Sequence, residues 1–138
     1  MLRVEDLSIR FEDRGTLEEV VKGISFSMDS GEILGIVGES GSGKTMTALT
    51  IAGILKKNAR VESGKIEFEG KELLSLTEKE LRDIQGKEIS MIFQEPMTAL
   101  NPTLRIGRQV EETLLLHEKM SRKRKKRESF PGFKEMWN

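Results

Sequence analysis

No cysteine occurs in the 138 residues. That rules out a disulfide framework, a cysteine zinc cluster and a thiol nucleophile. No apolar run approaches the roughly 18 residues that span a bilayer. The opening "MLRVEDLSIRF" carries charges inside its apolar pattern, so it does not read as a signal peptide. Aromatic residues are scarce at 5%, and the single histidine, His117, reads as a solvated residue of an amphipathic helix. With 36% hydrophobic and 33% charged residues, the chain is expected to be soluble and cytoplasmic. Its length suits one domain, or a piece of a larger one. The 23 basic and 23 acidic side chains balance only on average. Residues 1–118 carry 15 basic against 21 acidic side chains, a net −6, and residues 119–138 carry 8 against 2, a net +6. Such a break marks a tail or a change of composition.

Along the chain, Leu2 and Val4, then Leu7, Ile9 and Phe11, alternate as in a half-buried strand. Residues 12–19 are polar and read as a turn or loop. Alternation resumes through Ile24, Phe26 and Met28, so the two stretches suggest an antiparallel hairpin. "ILGIV", residues 33–37, is a continuous apolar run, as in a strand buried on both faces. A helix is predicted over 44–55, followed by a linker and a strand over 64–70. A short acidic helix then begins at Thr77, which with Glu80 has capping-box spacing. Residues 88–93 read as another apolar strand, 95–103 as a proline-bounded loop, and 106–120 as an amphipathic helix. This order points to an α/β fold with an antiparallel β appendage.

The sharpest motif is "GESGSGKT", Gly38 to Thr45, which fits G-x-x-x-x-G-K-[ST] at every fixed position. A phosphate chain must be approached by backbone amides, and Gly38, Gly41 and Gly43 keep side-chain bulk out of the way. Glu39, Ser40 and Ser42 complete the loop, and the helix that follows adds its N-terminal amides and dipole. Lys44 would reach the β- and γ-phosphates of ATP, and the Thr45 hydroxyl would coordinate Mg²⁺. An apolar strand before the loop and a helix after it are the context this motif requires. Gln94, at the end of the apolar run 88–93, could reach the same Mg²⁺ and a water, although alone it reads as a loop-facing glutamine.

Together, "ISFSMDSGEILGIVGESGSGKTMTAL" and "MIFQEPMTALNP" closely resemble the ATP-binding subunits of ABC transporters. Within that family the likeness is to the dipeptide and oligopeptide importer ATPases, a branch that includes nickel importers. It covers about residues 2 to 121 and implies a P-loop NTPase core, incomplete here, with an N-terminal antiparallel β-subdomain. The resemblance implies that Gln94 is the Q-loop glutamine, sensing the γ-phosphate through Mg²⁺ and coupling it to membrane subunits. It places Phe11 where an aromatic stacks on adenine; a hairpin core residue is the alternative. The helix 106–120 would begin the subdomain that touches the permease. The implied partners are permease membrane subunits and a second ATP-binding subunit, with the chain peripheral on the inner face of the membrane. No nucleic-acid partner is expected.

Hydrolysis needs a carboxylate at the end of an apolar strand and a residue that orients water. The family also has an LSGGQ-type signature and a switch histidine. After Gln94 the chain has no apolar run ending in Asp-Glu and no LSGGQ-like stretch. It is therefore expected to bind MgATP without turning it over alone, either as part of a peptide importer ATPase or as a non-catalytic nucleotide-binding fragment. Residues 122–138 form an atypical tail, with "RKRKKR" followed by Pro131, Gly132 and three aromatics. It reads as a nucleic-acid or localisation arm, as a charged helix end, or as a shifted reading frame. The third is preferred. "MWN" read one base later encodes Cys-Gly followed by Ile, Met or Thr, which resembles the helix ending found in the family. The coding DNA decides the matter.

Overall fold

The computed structural model describes residues 1–13, 15–94 and 100–109. They fall in two units, Met1–Gln85 and Gly86–Asn138. In the first unit, β1 (Leu2–Asp13) and β2 (Thr16–Met28) form the predicted antiparallel hairpin. β3 (Ala59–Phe68) pairs with the other edge of β1, and the two-residue β4 (Lys71–Glu72) pairs with β3. The order is β2-β1-β3-β4, antiparallel throughout.

The apolar alternation of β1 changes phase, from even positions at Leu2 and Val4 to odd ones at Leu7 and Ile9. An extra residue explains it. The register shifts between Val4 and Leu7, where Asp6 has a φ of 45°. A bulge of this kind adds one residue to a strand and bends it, so Leu7 and Ile9 return to the core face. Further shifts lie opposite Ser8 on both neighbouring strands, between Val21 and Ile24 on β2 and between Val61 and Ser63 on β3. Val4, Leu7, Ile9 and Ile66 are fully buried, with Leu2, Val21, Ala59 and Leu73 beside them in the core. Each of these valine, leucine and isoleucine side chains contributes about 1.5–3 kcal/mol by leaving water.

Most of residues 12–19 are strand, and the turn among them is short. The strands run to Asp13 and from Thr16, which pair, leaving a two-residue connection with Gly15 at φ 83°. Polar side chains are compatible with this because the ladder satisfies the backbone and the hairpin's far end faces water. Similarly, the predicted linker before residue 64 is largely strand, since β3 starts at Ala59. The helix α1 (Lys44–Ile51) stops four residues short of its predicted end. There Gly53 is at φ 69° and lies against the Leu81 side chain of α2 (Glu78–Ile84). The capping box at the start of α2 is as the sequence predicts. The Thr77 side chain accepts from the Glu80 amide, and the Glu80 carboxylate accepts from the Thr77 amide at 2.9 Å.

The apolar run 33–37 belongs to no sheet, and Ile33 and Val37 are 99% and 92% exposed. A strand buried on both faces requires a hydrogen-bonded neighbour on each side; among the described residues, none pairs with it. In the second unit, residues 90–93 likewise belong to no sheet and Ile92 is 97% exposed; Ile89 makes only an isolated bridge, and Gly86 N–H donates to its carbonyl across a tight turn. Also in that unit, residues 106–109 are helical. The remainder of the predicted helix, His117, the loop residues 95–99 and the tail 122–138 lie outside the described residues.

Candidate functional site

Between Val37 and α1 the chain forms the loop that the glycine motif predicts. Residues 38–42 are exposed, while Gly43 is buried and is the N-cap of α1. A glycine cap offers no side chain, so no hydroxyl or carboxylate covers the first-turn amides of α1, and there is no acidic residue in that turn. A helix start left in this condition favours an anion.

Lys44 folds back over the loop. Its Nζ donates to the Gly38 carbonyl at 2.7 Å, the Glu39 carbonyl at 2.6 Å and Ser42 Oγ at 3.3 Å. An ammonium has three donors, so all three can be engaged by loop oxygens. The loop turns through a Ser42 N–H donation to the Glu39 carbonyl at 3.2 Å. Gly38 makes room for this arrangement, because a Cβ there would lie 2.7 Å from Ser42 Oγ. Thr45 and the side chains of Glu39 and Ser40 face solvent.

Gly43 is held from below. Its φ of 86° disfavours a side chain, and a Cβ would lie 2.5 Å from the Val20 carbonyl oxygen and 2.7 Å from Val21 Cγ2 of β2. The loop's last glycine therefore sits directly on the hairpin. Within α1, the Thr47 and Thr50 hydroxyls donate back to the carbonyls of Gly43 and Met46. At the far end of α1, Gln85 Nε2 donates to the carbonyls of Ala52 and Gly53, both at 3.0 Å. Neither the valine seat nor the Gln85 clamp is among the features expected from sequence. Two adjacent valines interrupting the β2 alternation were a signal for the first; nothing local marks the second.

Phe11 is half-buried on β1, opposite Glu18 and Ala59. From Ile9 to Phe11 the β1–β3 register is unbroken, so the two share a face of the sheet. Ile9 pairs with Val21, the residue beneath Gly43. The adenine candidate and the glycine loop thus belong to one face of the same unit. Gln94 is exposed at a bend in the second unit. Among the described residues, no group of three or more His, Asp or Glu side chains could hold a metal ion, and no helix is long and apolar enough to cross a membrane.

Comparison with known proteins identifies the family and the fold. A family model described as ABC transporter matches residues 21–135. The oligopeptide transport ATP-binding protein OppD of Bacillus subtilis is 46% identical over 128 residues, 92% of this chain and 36% of that protein. The dipeptide transport ATP-binding protein DppD of the same organism is 48% identical over 129 residues, 93% of this chain and 38% of its own length. The chain thus spans little more than a third of these relatives. Among solved structures, a dimeric ATP-binding cassette in a post-hydrolysis state, bound to ADP and Pi, superposes with a TM-score of 0.81 at 22% identity, covering 97% of this chain and 56% of that one.

Proposed function

The chain belongs to the ABC transporter family, and from that premise we propose that it binds MgATP through Gly38–Thr45 as part of an ATP-binding subunit for the uptake of di- or oligopeptides. The single observation that carries the proposal is the loop itself: Lys44 curled onto the Gly38 and Glu39 carbonyls at the uncapped start of α1. A phosphate chain suits this site because no side chain projects from 38, 41 or 43 and the nearest cation sits on a flexible four-carbon stem. On binding, Lys44 exchanges loop acceptors for phosphate oxygens. The exposed Thr45 hydroxyl is assigned to Mg²⁺, an ion that takes few protein ligands and relies on substrate phosphates. Phe11 is assigned to the adenine ring. Gln94 is assigned, from the family resemblance, to sensing the γ-phosphate through Mg²⁺ and coupling it to permease subunits, with a second ATP-binding subunit completing the assembly. The peptide cargo rests on the names of the relatives.

A second reading, nucleotide binding without turnover, is favoured by the absence of a signature-like stretch and of an Asp-Glu-ended apolar run after Gln94. Calorimetric titration of the 138-residue chain with MgATP tests the first proposal. Saturable binding is expected, with Lys44→Ala weakening it at least tenfold; equal affinity in that variant defeats the assignment. A steady-state ATPase assay tests the second, which fails if the chain turns ATP over and Lys44→Ala abolishes the turnover.

A further inference from the structure

Val20 is surplus to the sheet. Ile9 pairs with Val21 and Arg10 pairs with Glu19, so β2 has one more residue than β1 at this point. Without Val20, those two pairs would follow one another directly. Val21 would still face the core and Glu19 still face water, as they do now. Hydrogen bonding and alternation would both be regular, so neither explains the extra residue.

The surplus residue does have a neighbour. Its carbonyl oxygen and the adjacent Val21 Cγ2 occupy the space into which a Gly43 side chain would project, at 2.5 and 2.7 Å from an ideal Cβ. Bulges re-aim backbone groups next to functional sites. Here the bulge brings β2 backbone against the glycine that ends the loop and caps α1.

We infer that the Val20 bulge is a positioning device for the phosphate loop: it seats Gly43 on the hairpin and so fixes the start of α1 relative to the face that carries Ile9 and Phe11. The inference rests on the nucleotide reading above. The first-turn amides begin at Gly43, so losing its seat loosens the groups aimed at phosphate while leaving the adenine platform on β1. Val20 and Val21 act through Gly43, without touching ligand themselves.

The test is deletion of Val20 in the 138-residue chain, with MgATP, magnesium tripolyphosphate and adenosine titrated separately. The deletion is expected to weaken MgATP and tripolyphosphate at least tenfold and to leave adenosine within twofold. Loss of stability alone would weaken all three together, and that outcome overturns the inference, as does undiminished tripolyphosphate binding. Deletion of Gly23, which removes the neighbouring irregularity on the same strand, is expected to retain tripolyphosphate affinity; an equal loss there also overturns it. Should the Val20 deletion not fold, Val21→Ala withdraws only the methyl groups beneath Gly43. It is expected to weaken tripolyphosphate about threefold, and wild-type affinity would refute the seat. If the wild-type chain binds no phosphate ligand, the nucleotide reading fails and the inference falls with it, a result distinct from selective loss in the deletion.

Discussion

Glu72 and Glu80 tie local structure to pH. Partial burial pushes the Glu72 carboxyl up, but hydrogen bonds from the Ile66 and Leu74 amides and from Ser75 outweigh it and hold the group below the ordinary range. The Thr77 hydroxyl and amide lower Glu80 in the same direction. A carboxyl lowered by folding stabilises the fold above the ordinary glutamate value of about 4.3. That contribution is lost as pH falls through the lowered folded value. Urea midpoints measured from pH 6 to pH 3 should therefore fall, and Glu80→Gln should start lower and fall less steeply. A parallel curve would mean that the capping box does not titrate with folding. The box was legible in the sequence because its partners are three residues apart. The Lys44 contacts were legible only in kind: the motif names the lysine, but the loop carbonyls that hold it depend on backbone geometry.

At the level of elements, the hairpin, the loop and both helices of the first unit follow from sequence pattern. Their limits do not. The polar residues from Glu12 to Glu19 look like loop because composition reports exposure, and an edge hairpin far from the core is exposed while fully paired. Conversely, 33–37 look like strand because their side chains are apolar, yet a ladder also needs partners. Gln85 shows a third limit. It lies 32 residues from Gly53, and its amide satisfies two carbonyls at the end of α1, groups left without partners inside any helix. Gln85→Ala should cost about 1–3 kcal/mol, the range for a buried acceptor left unpaired, read as a shift in the chemical-denaturation midpoint. A change below about 0.3 kcal/mol would show that water replaces the amide.

Over the whole molecule, charge and exposure divide the chain unevenly. The acidic excess belongs to residues 1–118 and the basic excess to the remainder. Ile33, Val37 and Ile92 stand almost fully exposed, and apolar side chains on unpaired backbone invite association with other chains. The purified chain should bind a hydrophobic reporter dye and scatter light progressively at micromolar concentration. Ile33→Lys should reduce both signals; an unchanged signal would place the sticky surface elsewhere. The three register shifts around Ser8 have a different consequence. They line up across β2, β1 and β3 as a crease, beyond which the β1–β3 pairing is regular and the β1–β2 pairing carries only the Val20 surplus. A regular sheet resists bending everywhere alike, whereas a creased one concentrates its compliance in a line. Beyond that line lies the hairpin's far half, carrying both Phe11 and the Val20 seat. Phe11 and the seat of Gly43 therefore lie on the same side of that crease, so a bend along it would displace the two together.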